Sequence, residues 1–381
     1  MDSCDVLIVG GGPAGSSCAW GLRSAGQRVL ILDKSAFPRN KVCGGWITPQ
    51  VLEGLRISEA DYAAGRTFQP ITGFRVGCMG QRGIDLTYDR PVSYGIRRSE
   101  FDEYLLRRSG AEVRDHVGIR SLERARDSWI VNGEIRARLL IGAGGHFCPV
   151  ARHLGTVESS GNSRTDDDNI PVIAQEIEFE MDARQASLCA VVPEIPELYF
   201  CPDLVGYGWC FRKGNFLNLG LGRLDQRALP EHVTRFFDSL RAMGRIAFDP
   251  PSRPLGHAYL LWGRSGRRSV DDSVILIGDA AGLAYAQSGE GIRPAVESGL
   301  LAAQVILAAQ GNYARNRLVP YAALLERRFS SGHGSGGTAL AGRLPGALRN
   351  ALARLLLRQK WFCRRVVVDT WFLHATVPAL A

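Results

Sequence analysis

The sequence predicts an α/β protein (α+β overall): a Rossmann-like dinucleotide-binding domain, an inserted, mostly antiparallel β-sheet domain and a C-terminal helical arm. Three observations predict it. A strand-glycine-helix-strand unit opens the chain, a second strand-turn-helix follows near residue 275, and aromatic residues alternate in a strand-like run between them.

The first unit starts with Asp5-Val6-Leu7-Ile8-Val9, an apolar run suited to a buried parallel strand. It passes into Gly10-Gly11-Gly12-Pro13-Ala14-Gly15, which is G-x-G-x-x-G on Gly10, Gly12 and Gly15. Ala14 to Ala25 then reads as a helix, and Gln27 to Asp33 as a second strand ending in an acid. Glycines here let the backbone approach a pyrophosphate, the helix start offers unpaired N–H groups, and Asp33, 21 residues after Gly12, can accept from ribose hydroxyls. The plainer alternative is a fortuitous glycine turn. NAD and FAD share the adenosine and pyrophosphate, so this unit does not choose between them.

Ser273 to Ile277 is another buried-strand run, followed by Gly278-Asp279-Ala280-Ala281-Gly282. Gln287-Ser288-Gly289-Glu290-Gly291-Ile292 then leads into a helical pattern over Arg293 to Ala309. A longer cofactor would use such a segment: Asp279 can accept from a ribityl hydroxyl, and the N–H groups of Gly289 to Ile292 can meet a flavin N1/C2=O edge. An ordinary βα turn with a capping Asp is the alternative. Between the two units, Ser99 is the expected N-cap of a helix with Asp102 three residues on. Arg97 or Arg98 beside it can meet a phosphate or a flavin edge, or simply sit at the surface. Arg138 to Gly142 reads as a strand entering the turn Ala143-Gly144-Gly145.

In this order the four segments resemble the flavoprotein monooxygenase-like superfamily, with a fold of the p-hydroxybenzoate hydroxylase/glutathione reductase type. One departure is that the mid-chain turn, usually Ala-Asp-Gly, reads Ala143-Gly144-Gly145 here. Within the superfamily, Phe37-Pro38-Arg39-Asn40-Lys41-Val42-Cys43-Gly44 looks like the segment that carries a Cys-Gly turn to the flavin in the geranylgeranyl reductase family. Tyr207-Gly208-Trp209-Cys210-Phe211 is similar to that family's Tyr-x-Trp-x-Phe-Pro motif, with Arg212 in place of proline. The resemblance implies FAD as cofactor, held by Gly10, Gly12, Pro13, Ala14, Gly15, Asp33, Lys34, Arg39, Cys43, Gly44, Arg98, Ala143, Gly144, Gly278, Asp279, Gly289, Gly291 and Ile292.

Tyr207, Trp209 and Phe211 recur at period two, so they share one strand face, which can line an apolar substrate channel or pack the sheet's own core. Alkene reduction needs one hydride and one proton. Cys43, a thiol largely protonated near neutral pH, or Tyr207 can supply the proton; Cys43 can equally be a space-filling thiol.

The expected domains are 1–70, 95–155 and 265–330 for the cofactor, 71–94 and 156–264 for substrate, and 331–381 as the helical arm. The Pro/Gly-rich stretches 249–256 and 330–337 are candidate boundaries. With 44 glycines in 381 residues, the chain exceeds the usual ~7%. The surplus falls partly in the cofactor turns. The net charge of +8 is local: from residue 343 onward seven bases (Arg343, Arg349, Arg354, Arg358, Lys360, Arg364, Arg365) face one acid, Asp369. A near-neutral body argues against nucleic acid as a partner. The arm, with an amphipathic helix expected over Ala347 to Phe362, suits peripheral contact with an anionic membrane or a capping helix with solvated arginines.

Nine scattered cysteines and no secretory leader predict a cytoplasmic protein with reduced thiols. Neither the histidine spacing nor any G-x-S-x-G or phosphate-loop motif supports metal, hydrolytic or phosphoryl-transfer chemistry. The expected activity is FAD-dependent saturation of carbon-carbon double bonds in an isoprenoid, a prenyl lipid or a similar apolar substrate. The alternative is a flavin monooxygenase or halogenase acting on an aromatic or carrier-bound substrate, although the Trp-x-Trp-x-Ile-Pro sequence and the mid-chain Asp are absent. A flavin electron carrier is the third reading. With no second dinucleotide fingerprint, the electron donor is either transiently docked NAD(P)H or a ferredoxin.

Overall fold

The computed structural model describes residues 1–155, 170–225, 227–330 and 346–380. One layer is an eight-stranded sheet. Its parallel centre runs Glu112–Arg114 (β8), Val29–Leu32 (β2), Asp2–Val9 (β1), Ile135–Gly142 (β11) and Val274–Leu276 (β18). Val270–Asp271 (β17) adds an antiparallel edge, and the hairpin Leu122–Ala125 (β9) and Ser128–Val131 (β10) pairs onto β11. Every residue of β2 and β18 is buried, as expected of parallel strands covered on both faces. The helices Pro13–Leu22 (α1), Arg98–Arg108 (α2) and Ile292–Ala308 (α4) pack beside this sheet, with α1 against both α2 and α4.

The second layer is a seven-stranded sheet in the order Leu255–Tyr259 (β16), Val172–Glu180 (β12), Phe216–Arg223 (β15), Gly206–Lys213 (β14), Glu197–Phe200 (β13), Gly73–Cys78 (β5) and Ile84–Thr87 (β6). All neighbours are antiparallel except β13 and β5. The pleat of β14 sends Tyr207, Trp209 and Phe211 to one face and Gly208 and Cys210 to the other. Helix Leu229–Ala242 (α3) covers the second face, and its fully buried Phe236 packs where Gly208 has no side chain. A small sheet of Trp46–Ile47 (β3), Ser93–Ile96 (β7) and Phe68–Ile71 (β4) bridges the layers.

The mixed α/β fold class agrees with the sequence, and most element ends differ from expectation by one to three residues. Two differences are larger in meaning. Helix α2 begins at Arg98 with Arg97 as N-cap and no side-chain cap, so Ser99 is not the cap. Asp102 does not complete a capping box because its carboxylate is taken by Arg98 one turn earlier. The C-terminal helix runs only Gly346–Leu356 (α5) and is followed by a π-helical stretch, Cys363–Phe372. Leu357, Cys363, Val367, Val368 and Phe372 pack in one cluster with Trp46, Phe74, Leu198, Trp209 and Phe211, so the arm closes over the aromatic face of the second sheet. Residues 331–337 of the expected boundary and 343–345 of the basic segment lie outside the described residues.

The end of the arm is tied to α4. Arg293, 1% exposed, donates to Glu297 (2.8 Å) and to the Val377 carbonyl (2.7 Å), while Arg328 donates to Glu297 and to the Pro378 carbonyl (2.6 Å). Among the described residues no helix is long and apolar enough to cross a membrane. Replacement of Phe236 by Ala leaves a void behind β14 and is expected to destabilise the fold by about 3–5 kcal/mol in urea denaturation.

Candidate active site

A cavity of about 700 Å³ runs from the C-terminal ends of β1 and β2 to the aromatic face of β14. At the first end, Gly10 has φ +117°, and a Cβ there would stand 2.4 Å from the Ala143 carbonyl oxygen. Only glycine lets the turns leaving β1 and β11 approach so closely. Asp33 is buried at the end of β2 and accepts from the backbone N–H groups of Gly11 (2.8 Å) and Ser35 (2.9 Å). It therefore shapes the glycine turn while lining the cavity.

Of the sequence-predicted residues, Gly12, Pro13, Ala14, Lys34, Arg39, Cys43, Gly44, Arg98, Ala143, Gly144, Asp279, Gly289, Gly291 and Ile292 also line this cavity. Gly15 and Gly278 stand behind the wall. A side chain at Gly15 would strike the Gly10 carbonyl, and the N–H of Gly278 donates to Ser298 Oγ at 2.9 Å, so both serve packing of the turns.

Along the cavity the charges are arranged in two groups. Asp102, fully buried, holds Arg98 through two bonds of 2.8 and 2.9 Å and draws Arg39 to 3.4 Å. Lys41 Nζ lies 2.9 Å from the His257 ring, whose Nε2 is 3.5 Å from Asp279. Burial pulls Lys41 down to about 8. Burial works against ionisation of Asp279, yet the His257 contact and the Lys41 charge hold its carboxyl below the ordinary range.

The second end is built on the Cys43-Gly44-Gly45 turn. Gly45 has φ +66°, and a Cβ there would lie 2.3 Å from Lys213 Nζ and 2.4 Å from the Ile96 carbonyl oxygen. The turn thus seats directly on β14. Tyr207, Trp209 and Phe211 all face the cavity, joined by Trp46, which stacks on Phe211 at 5.9 Å, and by Phe372 from the arm. Trp209 Nε1 donates to Asn218 Oδ1 (2.7 Å), and Asn218 Nδ2 donates to the Cys43 carbonyl (3.2 Å). The Tyr207 hydroxyl donates to the Ser288 carbonyl.

All nine cysteines are free, and Cys43 alone among them is not fully buried. Burial raises its thiol above the ordinary value, with the Arg98 guanidinium opposing that rise. Sequence reasoning missed Trp46, Ala174, His257, Tyr259 and Phe372, all of which line the cavity. The alternation of His257 with Tyr259, and of Ala174 with Glu176, was a usable signal for one strand face; Phe372 carried none, because its place depends on the arm folding back.

The glycine turn, the buried acceptors Asp33 and Asp279 and the backbone at the start of α4 suit a long dinucleotide, and a model of the FAD binding domain family matches residues 3–323. The chain belongs to this family. It is an FAD-dependent oxidoreductase, related as its sequence suggested to the geranylgeranyl reductases. It is similar to the menaquinone reductase of Mycobacterium tuberculosis (30% identity over 338 residues, 80% of this chain and 77% of the relative). The geranylgeranyl diphosphate reductase of Rhodobacter capsulatus is 28% identical over 80% of this chain and 75% of its own. The crystal structure of a geranylgeranyl bacteriochlorophyll reductase-like protein from Thermoplasma acidophilum shares the fold, with a TM-score of 0.74 at 21% identity over 98% of this chain and 99% of that one.

Removing one partner of a buried ion pair strands the other charge. Asp102→Ala is therefore expected to cost about 3–5 kcal/mol in chemical denaturation, by leaving Arg98 buried without its carboxylate.

Proposed function

We propose that this protein saturates carbon-carbon double bonds of an isoprenoid substrate. FAD, held by the cavity's glycine turn, Asp33, Arg39, Asp279 and the N-terminus of α4, supplies the hydride when reduced. The observation that carries the reading is that one cavity joins this dinucleotide end to a neutral thiol and an aromatic wall. Trp46, Tyr207, Trp209, Phe211 and Phe372 offer an apolar surface that orients a hydrocarbon chain and excludes water. Cys43, kept as a thiol by burial, holds the proton that goes to the carbon next to the one receiving hydride. Tyr207 commits its own proton to the Ser288 carbonyl and so braces the loop before α4; this favours Cys43 over Tyr207 as donor. The kinship with the Rhodobacter reductase supports the substrate class.

The arm supports collection of such a substrate from a bilayer. Leu348, Leu352 and Leu355 follow one face of α5 and are 55%, 45% and 56% exposed, with Trp361 at 59%. Arg354, Arg358 and Lys360 accompany them, a combination that suits an anionic membrane surface.

Anaerobic mixing of the dithionite-reduced protein with geranylgeranyl substrates is expected to reoxidise the flavin and add two hydrogens per double bond, read by absorbance and mass spectrometry. A requirement for oxygen, with oxygen or halogen inserted into the product, would replace this reading with a monooxygenase or halogenase. Cys43→Ser is expected to slow the reaction by about 10²-fold or more with FAD still bound. In vesicle flotation, the protein is expected to rise with phosphatidylglycerol-rich vesicles at low salt, and L352E/L355E to remain at the bottom.

A further inference from the structure

Glu290 stands between Gly289 and Gly291 in the turn that enters α4, and it lines the cavity. The N-cap of α4 is Gly291, which has no side chain to cap the helix. Glu290 takes that part: its Oε1 accepts from the backbone N–H of Arg293 at 2.8 Å. Its own backbone is held on both sides, the N–H donating to Ser288 Oγ (3.3 Å) and the carbonyl accepting from the Tyr285 N–H (2.9 Å). A carboxyl is thus fixed at the positive end of a 17-residue helix, where the turn was expected to offer its N–H groups to the flavin N1/C2=O edge.

The turn is walled on three sides. The Tyr207 hydroxyl donates to the Ser288 carbonyl, a Cβ on Gly289 would strike the Tyr259 hydroxyl, and one on Gly291 would stand 3.2 Å from Asp279 Oδ1. The Arg293 guanidinium is engaged by Glu297 (2.8 Å) and the Val377 carbonyl (2.7 Å), so among the described residues no cation pairs with Glu290. We propose that Glu290 sets the protonation of the reduced flavin, by taking one N–H of the helix start and by placing a negative charge beside the edge where the reduced ring would otherwise become an anion. This rests on the alkene-reductase reading and on its placing of the flavin edge at the start of α4. Two electrons and two protons give a neutral reduced ring, whereas two electrons and one proton give an anion that lacks the N1 proton. The helix start favours the anion and the carboxylate opposes it. A less stabilised reduced ring is a stronger hydride donor, which suits a double bond that accepts hydride poorly.

The groups facing the turn leave Glu290 to titrate near neutral pH. Burial moves its carboxyl up to about 7, against the lowering effect of the Arg293 N–H and charge and with Glu297 raising it further. Burial also raises the hydroxyls of Tyr207 on β14, Tyr259 on β16 and Tyr285 in the loop, so all three stay protonated. His374 of the arm stacks on Tyr285 at 3.6 Å and is lowered by burial to about 4, so it stays neutral. Asp279, with His257 and Lys41 beside it, stays ionised. Reduction near neutral pH therefore draws a second proton, held at N1 or on Glu290 itself.

The test is potentiometric titration of the FAD-loaded protein with dithionite between about pH 6 and pH 9, read by flavin absorbance; the slope of potential against pH counts the protons taken up. The unmodified protein is expected to take two protons per two electrons up to about pH 8. Glu290→Gln keeps an acceptor for the Arg293 N–H but removes the charge. Its change from two protons to one is expected about one pH unit lower or more, with a higher potential at alkaline pH and the absorbance of the anionic reduced flavin. A Glu290→Gln profile that superimposes on that of the unmodified protein would overturn the proposal. So would an unmodified protein that already takes only one proton at about pH 7, a result that needs no variant and holds however well Glu290→Gln binds FAD. Because no alkene enters this measurement, its failure is separate from failure of the alkene-reduction assay.

Discussion

The close seating of the Cys43-Gly44-Gly45 turn on β14 is the contact on which the rest of the site depends. At Gly45 the backbone is left-handed and the space of a Cβ is occupied by Lys213 and the Ile96 carbonyl. Chain continuity does the rest. Trp46 follows at once, pairs with Gly95 in the small sheet and stacks on Phe211, so the segment leaving the dinucleotide end becomes the floor of the aromatic end. One cavity results where two adjacent sheets would otherwise leave two clefts.

Buried charge keeps this junction in register. Lys213, 1% exposed, is neutralised by Glu178 at 2.6 Å, Arg98 by Asp102, and Arg293 by Glu297. Such pairs return little net stability, because desolvation offsets most of their attraction, but breaking one is expensive. Their value here is geometric. The Lys213 pair ties β14 to β12, while Asp102 also draws Arg39 of the cysteine segment to α2 and Arg293 also holds the arm's end at the Val377 carbonyl. The aromatic wall is consequently closed by Phe372, a residue that is distant in sequence from every other member of the wall.

Apolar burial sets the protonation of the groups that remain. Cys43 is lifted toward the thiol, Glu176 and Glu290 toward about 7, and Lys41 falls to about 8. Burial thus brings Glu176, Glu290 and Lys41 toward neutral pH while it moves Cys43 away from it, so the thiol keeps its proton.

Local pattern was enough for the dinucleotide end. Gly10, Gly12 and Asp33 sit within one βαβ unit, and the physics of that unit is contained in about thirty consecutive residues. The period-two run at Tyr207, Trp209 and Phe211 likewise exposed one face of a strand, and the Asp279 turn was readable from its own strand and helix. What faces that strand was not readable. Asp102 looked like a capping acid and is the buried partner of Arg98; the basic arm read as a membrane-contacting or capping helix, and its Phe372 lines the cavity. Sequence alone determined the elements, the cofactor turns and the candidate thiol, because periodicity and backbone sterics act over a few residues. The tertiary structure decided which charges meet and what closes the cavity, because those depend on contacts between residues as far apart as Cys43 and Asn218 or Tyr207 and Phe372.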